Sequence, residues 1–486
     1  MNLKKALLAT VFSLFYSLFA FAQDASTANK GMTKLSVPAA NSYEPVAAGD
    51  NDPRLNVYRN LAALGAIGDG ATDNSSVLQN AVNSGHAVMI PEGVFNFSTT
   101  LTLKKDSIIV GVGKKSVLRY TGNGAAMREP EGSYVNGYDN LKLINFTLTT
   151  SSNSTTGIEL TNNYQVTMNG LFIDGGLVGF RTAGIHIIGG TAATNSAIIR
   201  ITDGEIWFCT GDGILISGPA GGAGVWIERN HISGNAWGVN QTVPDGKYPA
   251  TNFQINNNVI EGNLQGAIQA QVLYASSITG NYFENIDNFS NPIIRIATNG
   301  FAQGLNISEN LFGGKKSQFN IDMNGPADVT GVIANNTFAG ASVAAIRANT
   351  ARGLVIENNT LETGTVPTVV SLGSASRSVW IQDYNNASFI SGGGQVQPNL
   401  TIGGRVIVGG GASLRNNAGT LETRTGDGNA FAPQAALYFK QAAGPTWTSG
   451  ATTPAGSCIT GSLFTRTNGG AKTTFYVCEG GVWAAK

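Results

Sequence analysis

Charge is scarce in this 486-residue chain. Only 12% of its residues are charged, and 30 basic side chains offset 30 acidic ones. That balance leaves no basic field for nucleic acid and no acidic tail. Histidine is nearly missing: His86, His186 and His231 are the three present. The cysteines are Cys209, Cys458 and Cys478, and no Cys/His spacing suits zinc, so no metal ligands are assigned. Beyond Phe21 no stretch is apolar enough to span a bilayer. No segment of the central region sustains a helical stripe.

What the chain has in abundance is repetition. One short phrase returns nine times: Gly157-Ile158-Glu159, Gly184-Ile185-His186, Gly213-Ile214-Leu215, Gly238-Val239-Asn240, Ala267-Ile268-Gln269, Ile293-Ile294-Arg295, Asn320-Ile321-Asp322, Ala345-Ile346-Arg347 and Val369-Val370-Ser371. Its central aliphatic residues are 24 to 29 positions apart. A second phrase runs out of phase, from Ile227-x-x-Asn230-x-Ile232 to Ile356-x-x-Asn359-x-Leu361, through Asn258, Asn281, Asn310 and Asn336. A shared period means a structural unit. Aliphatic residues alternate with other types, the signature of strands. Units this short bury an apolar face only by stacking. The fold class expected is therefore all-β, a parallel β-helix. The Asn column reads as structural, because Asn tolerates left-handed turns, bonds local backbone and can bond along a stack.

The ends differ from the middle. Lys4 and Lys5, the apolar run Ala6 to Phe21 and Ala20-Phe21-Ala22 read as a signal peptide over 1–22, cleaved before Gln23, which leaves no membrane span. Residues 23–54 read as a linker or arm, 55–400 as the β-helix, 401–445 as a strand-rich connector and 446–486 as a small β module. In an exported chain Cys458 and Cys478 are natural disulfide partners, with Cys209 a buried free thiol. Trp447, Tyr476 and Trp483 are expected to form the core of that module, the alternative being a sugar-binding platform. Asp73 is expected to cap a helix whose apolar face is Val77, Leu78, Ala81 and Val82, closing the N-terminal end of the solenoid. Irregular loops are expected at Ser217 to Gly224 and Gln241 to Thr251.

The stretch Gly65-Ala66-Ile67-Gly68-Asp69-Gly70-Ala71-Thr72-Asp73-Asn74, with Pro91-Glu92-Gly93-Val94-Phe95 after it, resembles the opening of the pectate-lyase-like, rhamnogalacturonase/epimerase-type β-helix family. Asn74 stands where that family has a second Asp, and Phe95 where it has Tyr. The resemblance implies a right-handed helix, like those of phage tailspikes and polysaccharide depolymerases, with substrate along a strand face. The NTD, paired-Asp, GHG and RIK phrases of polygalacturonases are incomplete here, and the acidic calcium cluster of pectate lyases is not visible. Fold alone therefore transfers no activity.

If the central aliphatic residue of each phrase points inward, the next points outward. The outward column reads Glu159, His186, Leu215, Asn240, Gln269, Arg295, Asp322, Arg347, Ser371. Glu159, His186 and Asp212 are the candidate acid/base groups, with Asp203 and Glu205 on a nearby strand. Arg181, Asn240, Gln269, Arg295 and Asp322 are the candidate substrate binders, with Arg295 and Arg347 suiting anionic sugars. Arg295, Asp322 and Arg347 also read as a stacked charge ladder. Two functions follow. One is a secreted enzyme cleaving a polysaccharide, as hydrolase or lyase, without a cofactor unless a lyase mechanism brings calcium. The other is a non-catalytic glycan binder of the cell surface or periplasm. The phrase Leu414 to Arg424 resembles phage tail tips, which would make the last module a docking or trimerisation element of a homotrimer.

Overall fold

The computed structural model describes residues 58–129, 139–190, 196–219, 222–243, 250–285, 291–296, 300–314, 317–324, 328–362, 370–373, 376, 379–382, 390–392, 405–408, 412–417, 420–425, 437–438, 446–470 and 473–486. The expected signal peptide, the arm and the Pro244–Pro249 part of the second loop lie outside them.

Three parallel sheets run side by side through the repeats, of 14, 12 and 15 strands, and successive strands of the chain visit them in turn. The result is an all-β parallel solenoid of about eleven turns. The register is unbroken along the expected inward column: Ile158 pairs with Ile185, then Ile214, Val239, Ile268, Ile294, Ile321, Ile346 and Val370. Every one of these is fully buried. Phe283, Phe312 and Phe338 stack the same way, with ring centroids 5.1 and 4.8 Å apart. Each such side chain contributes roughly 1.5–3 kcal/mol by leaving water, and only its neighbours in the stack allow it to do so.

The turns explain the second phrase. The left-handed residue is not the Asn of the column but the one before it: Arg229, Asn257, Gly280, Glu309, Asn335 and Asn358 all have φ between 53° and 66°. That corrects the expectation that the column Asn adopts this conformation. The column Asn instead points inward and builds a ladder. Asn281 Oδ1 accepts from the N–H and the Nδ2 of Asn258, at 2.9 and 3.0 Å. Asn281 Nδ2 donates to Ile255 O at 2.8 Å and to Asn310 Oδ1 at 2.9 Å. The pattern repeats from Asn230 to Asn359. A shorter ladder, unread in the sequence, joins Asn235 to Asn263 and accepts the Cys209 N–H at 3.0 Å. Cys209 is buried with a free thiol, and burial pushes its pKa far up.

A helix spans Ser75–Asn83 and buries Leu78, Ala81 and Val82. Its N-cap is Asn74, and Asp73 lies one residue earlier, accepting the Ser75 N–H at 2.9 Å. The Asp73 cap is thus displaced by one position, because the Asn74 side chain is buried and tied to Ile67 and Thr72. Gln79 of this helix bonds both backbone groups of Thr102, in the terminal strand of the third sheet. Gln241 and Thr242 belong to strand Trp237–Thr242 and not to a loop, with the Gln241 amide bonding Val272 O at 3.0 Å. Glu129, which sequence reading passed over, pairs in register with inward Leu160 and is 3% exposed. Burial, and then the charge of Asp139, push its carboxyl up to about 8.

After the repeats the third sheet continues. Ile390 pairs with Val406, and strands Arg405–Val408, Ala412–Asn417 and Thr420–Thr425 follow as an antiparallel meander. A separate five-stranded sheet begins with Leu437–Tyr438, before the expected boundary at 446. Cys458 and Cys478 form a disulfide there. Tyr476 is buried against Phe464, and Trp483 also packs on that ring, whereas Trp447 is 44% exposed and so is not core.

Asn281→Ala would strand Ile255 O and the Asn258 N–H in the interior. Unsatisfied buried groups cost about 1–3 kcal/mol each, so chemical denaturation should show a loss of roughly 2–4 kcal/mol. A loss under about 0.5 kcal/mol, the level of an ordinary surface change, would show that the ladder adds little.

Candidate functional site

The outward face of the third sheet is built by parity. On each strand the inward aliphatic residue is followed by an outward one, and the pairing is in register from Arg128 through Glu159, His186, Leu215, Asn240, Gln269, Arg295, Asp322 and Arg347 to Ser371. Residues 24 to 31 apart in the chain are thereby rung neighbours, about 4.8 Å from one another.

At one end of the column Arg128 Nε lies 2.6 Å from Glu159 Oε1. His186 is next, with Nε2 2.7 Å from Ser217 Oγ. Burial lowers the His186 pKa, and the Glu159 charge partly opposes that. Burial thus favours the neutral imidazole.

In the middle is a chain of aligned dipoles. Asn240 Nδ2 donates to Asp212 Oδ2 at 2.8 Å. Gln269 Nε2 donates to Asn240 Oδ1 at 3.1 Å, and Arg295 Nη1 to Gln269 Oε1 at 3.3 Å. Every bond runs in one direction, from guanidinium to carboxyl, so each polarises the next. Asp212 also accepts the Trp237 N–H at 3.1 Å, is 8% exposed, and has its pKa raised by burial against those two hydrogen bonds. Arg295 lies 5.5 Å over the Trp237 ring and donates to Asn291 Oδ1 at 3.0 Å. Below it Arg347 grips Asp322 with two bonds of 2.7 and 2.6 Å and sits 4.1 Å over Phe319. The charge ladder is thus one pair, Asp322 with Arg347; the side-chain bonds of Arg295 go to amides.

Other candidates separate. Asp212 is level with Ala183 and Thr156, three residues along the strand from the column. With about 4.8 Å per rung and about 3.3 Å per residue, Glu159 and Asp212 are roughly 14 Å apart at Cα. Glu205 belongs to the second sheet, where it meets Lys114, and Asp203 sits in a turn paired with Arg229. Arg181 is exposed in the turn entering strand Ala183–Ile188. Among the described residues no group of three or more His, Cys, Asp or Glu stands together to hold a metal.

Residues 58–140 match the family described as rhamnogalacturonase A/epimerase, pectate lyase-like. The resemblance to pectate-lyase-like β-helix proteins holds. In this family stretch the glycines have a packing reason: a Cβ on Gly68 would meet the Phe95 ring at 2.9 Å. The preneck appendage protein of Bacillus phage PZA is 32% identical over 92 residues, 18% of this chain and 11% of that protein. The chain thus aligns with about a tenth of that relative's length. Among solved structures, the DFA-IIIase from Arthrobacter chlorophenolicus A6 in complex with GF2 has a TM-score of 0.49 at 13% identity, covering 71% of this chain and 100% of that one. The N-terminal fragment of bacteriophage phi29 gene product 12 has a TM-score of 0.48 at 18% identity, covering 77% and 74%.

Sequence reading missed Arg128, Ser217, Trp237 and Asn291. Arg128 was findable, since Ala126-Met127-Arg128 has the pattern of Ala345-Ile346-Arg347 one rung before Glu159. Because the Glu159 charge props up the His186 pKa, Glu159→Gln should move the imidazole titration, followed by NMR, to lower pH. An unchanged or raised midpoint would show that the two groups do not sense each other.

Proposed function

We propose that the chain binds an anionic polysaccharide along the outward face of the third sheet. Arg295 carries this reading. Its guanidinium is fixed by two amide oxygens and the Trp237 ring, with no carboxylate in those contacts. A held cation amid amide donors and acceptors suits a uronate carboxylate flanked by hydroxyls. The column sets Asn240, Gln269 and Arg295 on three successive rungs, a run of polar groups along which an extended chain of sugars could lie. The match to a pectate-lyase-like family supports a polysaccharide-related role.

Cleavage is a second reading, and Asp212 favours it. Burial raises the Asp212 pKa, the direction that suits a carboxyl protonating a leaving glycosidic oxygen. In a lyase variant neutral His186 would take the proton next to the uronate carboxylate. The reading includes export, with which the Cys458–Cys478 disulfide agrees. It also includes the helix Ser75–Asn83 as the cap of the solenoid and the five-stranded sheet as a docking or trimerisation element. No helix among the described residues is long and apolar enough to cross a membrane.

The test is a panel of acidic and neutral polysaccharides. Binding to an acidic one, weakened about tenfold in Arg295→Ala, is the expected result; tenfold corresponds to about 1.4 kcal/mol. New reducing ends or unsaturated products, lost in Asp212→Asn, would add cleavage. Binding to no acidic polysaccharide would overturn the proposal.

A further inference from the structure

The second sheet also has an outward face, and its chemistry differs. Phe172, Glu205 and His231 are successive rung neighbours, and beside them run Asp174, Trp207 and Ser233. The residues between them, Ile173, Ile206 and Ile232, are buried, so both columns point outward. Trp207 is the hub. Its ring meets Phe172 edge to face at 5.1 Å, His231 at 5.2 Å and Phe208 at 6.0 Å.

Three observations point to a ligand. First, Glu205 Oε2 and Trp207 Nε1 are shielded from water and have no hydrogen-bond partner among the described residues. One is an acceptor, the other a donor, and they stand two residues apart on one face of strand Glu205–Trp207. A hydroxyl both donates and accepts, so it is the group that satisfies both. Second, Phe208 is 39% exposed in a left-handed turn (φ 53°) whose equivalents one and two rungs on are Gly234 and Gly262, so a bulky ring stands on the surface where those rungs carry no side chain. Third, this face is acidic. Asp174, Glu205, Glu261 and Glu284 lie along it, while its cations among the described residues are Arg119, two rungs before Asp174 in the same column, and Lys114, 2.6 Å from Glu205 Oε1 and 4.8 Å over Phe172. His231 is bonded to Glu261 at 2.9 Å.

We infer that this face is a second glycan site, selective for neutral sugar units, with Phe208 as the stacking platform and Glu205 and Trp207 as the hydroxyl clamp. A pyranose has a C–H face that packs on an aromatic ring and an equatorial rim of hydroxyls that bond at its edge. Excess carboxylate repels uronates here, whereas the arginines of the third sheet attract them. Lys114, 62% exposed at its side chain, covers the clamp in the free protein and swings aside when a sugar enters. The two faces together let one chain hold a heteropolysaccharide, or hold an acidic and a neutral strand at once.

The test uses the full chain and neutral oligosaccharides, gluco-, manno- and galacto-oligomers, titrated by calorimetry beside an oligouronate. Wild type should bind at least one neutral oligomer. Phe208→Gly and Glu205→Gln should each weaken that binding at least tenfold and leave the oligouronate affinity unchanged, while Arg295→Ala should do the reverse. Trp207→Phe, which keeps the ring but loses the N–H, should weaken it several-fold. Phe208→Gly also relieves backbone strain, so its melting temperature should hold or rise; a fall beside unchanged sugar binding would assign Phe208 to packing and overturn the inference. Wild type binding no neutral oligomer, or Arg295→Ala losing both ligands together, would overturn it too. Failure of the oligouronate alone would strike the third-sheet proposal and leave this one standing.

Discussion

Everything in this molecule depends on strands stacked in register, one turn upon the next. A parallel pair exchanges backbone hydrogen bonds only when the neighbour lies one rung away, and a one-residue slip would turn every aliphatic side chain outward. The Asn ladder guards against that slip. Each column Asn accepts the next lower-numbered Asn's N–H and amide and donates to a backbone carbonyl near the preceding turn, as Asn281 does with Asn258 and Ile255. A turn of the wrong length would break all these bonds at once. Left-handed residues such as Asn257 and Glu309, immediately before the ladder, bend the chain without consuming its interior hydrogen bonds.

Register also makes the surface. Because the inward residue of a rung is nearly always aliphatic, the outward residue is free to vary, and each sheet writes its own column. The third sheet writes amides and arginines joined into a one-directional hydrogen-bond chain from Arg295 to Asp212. The second writes aromatic rings and carboxylates around Trp207. Both are columns of outward side chains in register, and their different chemistry follows from residues on different flanks of the same rungs.

Much of this was legible in the chain. Period two within strands and a period near 26 between them placed Ile158 to Val370 inside and Glu159 to Ser371 outside, and the register agrees. Less legible was anything set by turns. The left-handed residue was assigned to the wrong neighbour, because a repeat marks a column without saying which of two adjacent residues bends. Glu129 was overlooked because an acidic residue at an inward position contradicts the alternation, and only burial reveals it. The aromatic face escaped for another reason: Phe172, Trp207 and His231 share no repeated phrase, so nothing in the spacing ties them together until the sheets are formed.

The most direct test is a pair of cysteine cross-links. Rung neighbours lie about 4.8 Å apart at Cα, inside the roughly 4.4–6.8 Å that a disulfide spans. Asn240→Cys with Gln269→Cys, which are in register, should cross-link under mild oxidation. Asn240→Cys with Arg295→Cys, two rungs apart, should not. Efficient bonding of the second pair, or none in the first, would contradict the stacked register on which both faces rest.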